Sequence, residues 1–175
     1  MQDDSNTREL FEACVANCAD SMYRVARRLS GNSGEAEDLV QESFAQAWQK
    51  IDSLRDSSRM RSWLFAILRN QYLKSVRKKK PVASSDVEQI ADHRTASPPE
   101  EDSSDIVQAA LEQLDDDQRM PILLVSMEGL SVDEASEILD IPRGTVLSRM
   151  HRGRKRLKEI LTKEQLNQKE KYAAG

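Results

Sequence analysis

The sequence predicts an all-α protein of two small helical domains joined by a flexible linker, and three observations carry that expectation. Apolar residues recur at three- and four-residue steps through most of the 175-residue chain, the period of a helix with one buried face. No stretch alternates apolar and polar side chains as a half-buried strand does. Between 81 and 105 the text changes to PVASSDVEQIADHRTASPPEEDSSD, rich in Ser, Pro and acid and nearly free of large apolar residues. Such a segment buries too little surface to offset the entropy of ordering it. It reads as an acidic linker between one domain over 1–80 and a second over 106–175.

Each element has its own signal. A first helix is expected from Thr7 to Leu29, with Leu10, Phe11, Cys14, Val15, Cys18, Met22, Val25, Ala26 and Leu29 on its buried side, before SGNSG breaks it. A second opens near Asn32 with Glu35 in capping-box position, and Ala36, Leu39, Val40, Phe44, Ala47, Trp48 and Ile51 form its apolar stripe. After the polar loop DSLRDSSRM, a third helix from Ser62 to Lys79 sets Leu64, Phe65, Leu68, Tyr72 and Val76 opposite Asn70, Lys74 and Arg77. Beyond the linker, helices are expected over Ile106–Leu114 and Asp116–Glu128. A compact pair follows. Ser131 caps a helix with Glu134 at the box position and Val132, Ala135, Ile138 and Leu139 inward. Pro142 ends it, because the residue before a proline avoids the α region. The next helix turns Val146, Met150, Gly153 and Leu157 to the core, the glycine costing about 1 kcal/mol of helix propensity.

Charge gives the pattern a purpose. The net formal charge is −4, yet residues 61–80 and 143–158 each carry seven Lys or Arg and no acid. Two acid-free blocks on two helices are the electrostatic footprint of a polyanion, because cations placed on phosphates release condensed counterions. The final pair of helices has the helix-turn-helix form, whose second helix enters the major groove of duplex DNA. Arg143, Thr145, Ser148, Arg149 and Arg152 are its candidates for base edges, Arg being suited to guanine. Lys155 and Arg156 are the candidates for phosphate.

Other classes find little support. No apolar run approaches the roughly 18 residues of a membrane span, and the opening MQDDSNTREL is acidic rather than leader-like. A cytoplasmic protein that is not membrane-inserted is expected. Cys14 and Cys18 are too few for a disulfide scaffold and read as inert buried thiols, while His93 and His151 complete no four-ligand zinc set. No metal, cofactor or small-molecule substrate is expected. No nucleophile triad, carboxylate cluster or phosphate loop suggests an enzyme.

These segments resemble a family. GEAEDLVQESFAQAWQKIDSL with MRSWLFAILRNQYLKSVRKKK is similar to region 2, and LDDDQRMPILLVSMEGLSVDEASEILDIPRGTVLSRMHRGRKRLKEIL to region 4, of the extracytoplasmic-function sigma factors. These are two-domain specificity subunits of bacterial RNA polymerase. The resemblance implies that Asp38, Gln41 and Glu42 dock on the clamp helices of the largest subunit of core RNA polymerase, and that region 4 meets its flap region. It implies promoter DNA as partner. The second basic helix then reads the −35 element. Ser58, Arg59, Met60, Arg61, Arg69, Asn70, Lys74 and Arg77 capture the −10 element. Trp63 is expected in the core. Control by an anti-sigma factor is implied as well. A free-standing helix-turn-helix regulator is the alternative from a different class, which would have no use for a core-binding face paired with the first basic helix.

Overall fold

Asn32 and Gly31 set the first corner of the chain. In the structure, a computed structural model that describes residues 2–54, 56–79 and 103–173, α1 spans Gln2–Ser30. It stops at Gly31, whose φ of +71° suits glycine. The Asn32 side chain then accepts the Glu35 backbone N–H at 3.1 Å and starts α2, Ser33–Gln49. Glu35 itself reaches across to Lys79 Nζ at 2.6 Å. A short 3-10 turn capped by Asp56 leads into α3, Met60–Lys79, two residues earlier than the periodicity places it.

The three helices meet around Phe11, Met22, Ala26, Leu39, Leu64, Phe65 and Leu68, all buried. Two members of the expected stripes are not core. Leu10 is 43% exposed and Trp48 is 46% exposed. Leu10 and Phe11 are one helix step apart, about 100° in rotation, so only one of them can face inward. Trp48, in the last turn of α2, lies over Phe11 with ring centroids 5.3 Å apart and the Arg8 guanidinium 6.0 Å from its own centroid. It shields the end of the core rather than filling it. Trp63, expected in the core, is half-buried: it packs against the core and also lines an open groove with Leu54 and Glu137.

The expected linker lies outside the described residues except for its last three, which form the first turn of α4, Ser103–Glu112. Asp105 there sits where a carboxylate favours the helix dipole. Next, α5 runs only from Asp116 to Ile122, and Leu123–Met127 form a π turn. A single helix to Glu128 was the expectation. Pro121, which has no N–H to offer the helix ladder, stands two residues before the π turn. Within that turn the Glu128 N–H bonds Leu123 O at 3.1 Å. Ser131 and Glu134 then close the capping box of α6, Val132–Leu139. The Ser131 N–H and hydroxyl both donate to Glu134 and hold its carboxyl below the ordinary range.

The turn into α7, Arg143–Ala173, is tight. Asp140 adopts φ +51°, a left-handed cap that Asp tolerates better than most residues. Ser136 Oγ donates to Ile141 O at 2.6 Å and braces it. Gly153 proves to be more than a propensity cost. A Cβ there would stand 2.6 Å from Ile122 Cδ1 and 3.2 Å from Gln118 Cβ, so the glycine admits α5 against α7.

The two halves are packed together. Helix α3 lies on α6, and α1 touches α4 and α5. One buried cluster runs from Phe11 through Leu68 to Leu124 and Met150. Polar contacts seal the seam: Tyr72 on α3 donates to Asp116 Oδ1 at 2.8 Å and accepts from buried Arg119 at 2.8 Å, and Arg28 donates to Gln108 at 3.1 Å. Among the described residues no strand occurs, and no helix is long and apolar enough to cross a membrane.

Candidate nucleic-acid interface

The helix-turn-helix presents α7 outward. Val146, Met150 and Gly153 are buried against α5 and α6 and Leu157 is half-buried, which fixes the rotation of the helix. Ser148, Arg152, Lys155 and Arg156 are exposed on the other side. Thr145 and Arg149 are half-buried on one flank, where Arg149 Nε stands 3.5 Å from Asp117 Oδ2 on α5. That carboxylate steadies the guanidinium without covering it. Arg143 takes the opposite flank and forks onto Asp133 with both contacts at 2.7 Å, so it braces α6 against α7 as well as facing solvent. Exposed His151 and Lys158 share the outward face with Ser148, Arg152 and Lys155. The available signal was helical spacing, His151 lying three residues after Ser148 and Lys158 three after Lys155.

The first basic surface divides in two. Arg69, Asn70, Lys74 and Arg77, with Leu73 and Lys78, line a shallow recess along the outer side of α3. It forms an open cationic track of the kind that follows a nucleic-acid backbone. The preceding loop is placed differently. Ser58 is held by Asp56, whose Oδ1 accepts its backbone N–H at 2.9 Å and its hydroxyl at 2.7 Å. Both bonds favour the carboxylate and lower its pKa. Met60 is only 4% exposed, packed in the core rather than presented to a ligand. Arg59 is ion-paired with Glu137 of α6. Arg61 stacks over Phe65 and donates to Glu128 O at 3.0 Å. The loop and the outer face of α3 therefore do not form one open surface in this arrangement.

On α2, Asp38, Gln41 and Glu42 are exposed while Leu39, Val40 and Ser43 are buried. The rotation that buries the apolar stripe gathers these three polar side chains on one uncovered face.

Cys14 and Cys18 are free thiols with Sγ atoms 3.6 Å apart. Cys18 is buried and Cys14 half-buried. Burial, then the contact with Cys18, pushes the Cys14 thiol up from 9.0 to about 12, with nearby Arg61 pulling it back. Thiolate is the reactive form, so iodoacetamide at pH 8 is expected to label native Cys14 at least about 100-fold more slowly than the urea-unfolded chain. Since the raised value favours the protonated fold, the stability it contributes is complete below pH 9.0 and fades as pH rises toward about 12. Quantitative mass spectrometry of labelling and a thermal melt series check both. Among the described residues no group of three or more His, Cys, Asp and Glu side chains could hold a metal ion.

Comparisons with known proteins agree with this geometry. Two family models match, "Sigma-70 region 2" over residues 14–82 and "Sigma-70, region 4" over residues 104–157. The ECF RNA polymerase sigma factor SigW of Bacillus subtilis is 35% identical over 170 residues, covering 88% of this chain and 90% of that protein. SigE of Mycolicibacterium smegmatis is 34% identical over 161 residues, 87% of this chain, which spans 62% of that relative's length. Among solved structures, the sigma factor RpoE in complex with the anti-sigma factor NepR from Bartonella quintana superposes with a TM-score of 0.71 at 34% identity. That match covers 87% of this chain and 96% of the other.

Proposed function

Because the chain belongs to the extracytoplasmic-function sigma factors, we propose that it acts as a promoter-specificity subunit of bacterial RNA polymerase, binding the core enzyme in the cytoplasm and directing initiation without performing chemistry itself. The observation that supports the reading is the pairing of two cationic helix faces, on α3 and α7, each drawn from a block of sequence with no acid, with a separate exposed polar face on α2. One long contact with a promoter needs two anchor points and a third surface for the enzyme.

In this reading the first domain, residues 1–80, docks through Asp38, Gln41 and Glu42 on the clamp helices. Its Ser58–Arg61 loop and the Arg69–Arg77 track take the −10 strand as it leaves the duplex, where bases need a pocket and phosphates need cations. The second domain, residues 106–175, meets the flap region and lays α7 in the major groove at −35. His151 and Lys158 join the expected contacts there. An anti-sigma factor is the expected regulator, supported by the likeness to a sigma factor solved with one.

Size-exclusion chromatography with core polymerase free of other sigma factors tests the reading. A stoichiometric complex that survives the column is expected. A chain that elutes alone, and binds DNA as a dimer, would instead be a free-standing regulator.

A further inference from the structure

We propose that Cys14 and Cys18 form a binding site, already set by the fold of α1, for trivalent arsenic, held as a neutral adduct by the two sulfurs alone. The site stands on one helix and does not depend on the promoter reading.

The pair lies well inside α1, four residues apart, so both side chains fall on one face of the helix. Cys18 is buried in the core together with Phe11 and Met22 of the same helix, while Cys14 is half-buried and gives the pair its opening to solvent. Their Sγ atoms are 3.6 Å apart. Cβ atoms four residues apart on a helix stand about 5–6 Å from each other, wider than the roughly 3.5–4.5 Å that a disulfide spans. Direct bonding of the sulfurs would therefore have to bend α1. One atom placed between them asks for no such movement. Two thiolates sharing a tetrahedral zinc, at about 2.3 Å each, are themselves about 3.8 Å apart.

The surroundings select the bridging atom. A closed zinc site takes four protein ligands, and among the described residues no third His, Cys, Asp or Glu joins the pair in a group that could hold a metal ion. Copper(I), which thiolates favour, would make an anion with two of them, and burial penalises the charged form. Trivalent arsenic avoids both difficulties. Each thiol gives its proton to an arsenic-bound hydroxide, two As–S bonds replace two As–O bonds, and two waters leave. Arsenic stays trivalent and the adduct carries no charge, so no electron donor or counter-ion is needed. The third arsenic ligand is a hydroxyl or an organic group. The burial that pushes the Cys14 thiol up disfavours thiolate, and neither the free pair nor the adduct contains one. Slow alkylation, which needs the thiolate, is therefore compatible with tight chelation at equilibrium.

Phenylarsine oxide, whose arsenic has two positions open to thiols, tests the site on the full-length chain by intact mass and thermal melting after incubation to a constant signal. One phenylarsenic adduct per chain is expected, removed by excess 1,2-ethanedithiol. Cys14→Ala and Cys18→Ala should each bind at least about 100-fold more weakly, the loss of a two-point attachment. At about 100 times its dissociation constant, the reagent should raise the melting temperature of the unaltered chain by about 5 °C or more. Should Cys18→Ala fail to fold, Cys14→Ala and the melts of the unaltered chain decide. A folded single-cysteine variant that binds as tightly as its parent overturns the two-sulfur site. An unchanged or lowered melting temperature means that the unfolded chain binds arsenic as well as the native one does, and overturns a site set by α1.

Discussion

Arg149→Ala is expected to weaken binding to a −35 duplex by about 5- to 150-fold, the 1–3 kcal/mol that a bidentate arginine contributes to base discrimination. The side chain is 28% exposed, lies beside Asp117 and emerges from the early turns of α7, where a recognition helix meets base edges. Loss should therefore fall on one base position. Lys155→Ala or Arg156→Ala should behave otherwise, lowering affinity evenly across sequences and reducing the salt dependence by about one phosphate each. Competition binding against every single-base variant of the selected site separates the two patterns. An Arg149 variant that weakens all sequences equally would move that residue from base reading to phosphate holding.

Reversing charge on the α2 face should have a comparable effect by another route. Asp38→Lys with Glu42→Lys replaces two exposed carboxylates on the side of α2 away from its buried stripe of Ala36, Leu39, Val40, Ser43 and Ala47. Helix and thermal stability should hardly change, because exposed substitutions usually stay within about 0.5 kcal/mol. Like-charge juxtaposition at an interface costs several kcal/mol, so transcription is expected to fall by about 100-fold or more while binding of the purified chain to −35 duplex is retained. Measuring both on one preparation decides the matter. If the −35 affinity falls in parallel, the face belongs to the fold rather than to the polymerase.

Much of this architecture was legible because its determinants are local. The helix-turn-helix follows from a capping box at Ser131 and Glu134, a proline at 142 and two apolar stripes, and all of these occupy their expected places. Asn32 starts α2 for the same reason. What escaped depends on partners distant in sequence. The grip of Arg24 on Glu128 spans 104 positions, and nothing in a charge census says which acid an arginine meets. Gly153 reads as a mere propensity cost until Ile122 and Gln118 are seen against it. Trp48 looks like core by period, yet only the end of α2 and the position of Phe11 show that it covers the core from outside. For the candidate site, residue types and faces were readable, but the division of the first cationic surface into a covered loop and an open track was not. That division depends on where α6 docks.

Run-off transcription with core polymerase on a pool of randomised promoters, with and without the chain, tests the central claim most directly. The account predicts templates enriched only in its presence, carrying two short motifs at a fixed spacing, one for each cationic surface. Identical transcription with and without the chain would contradict it.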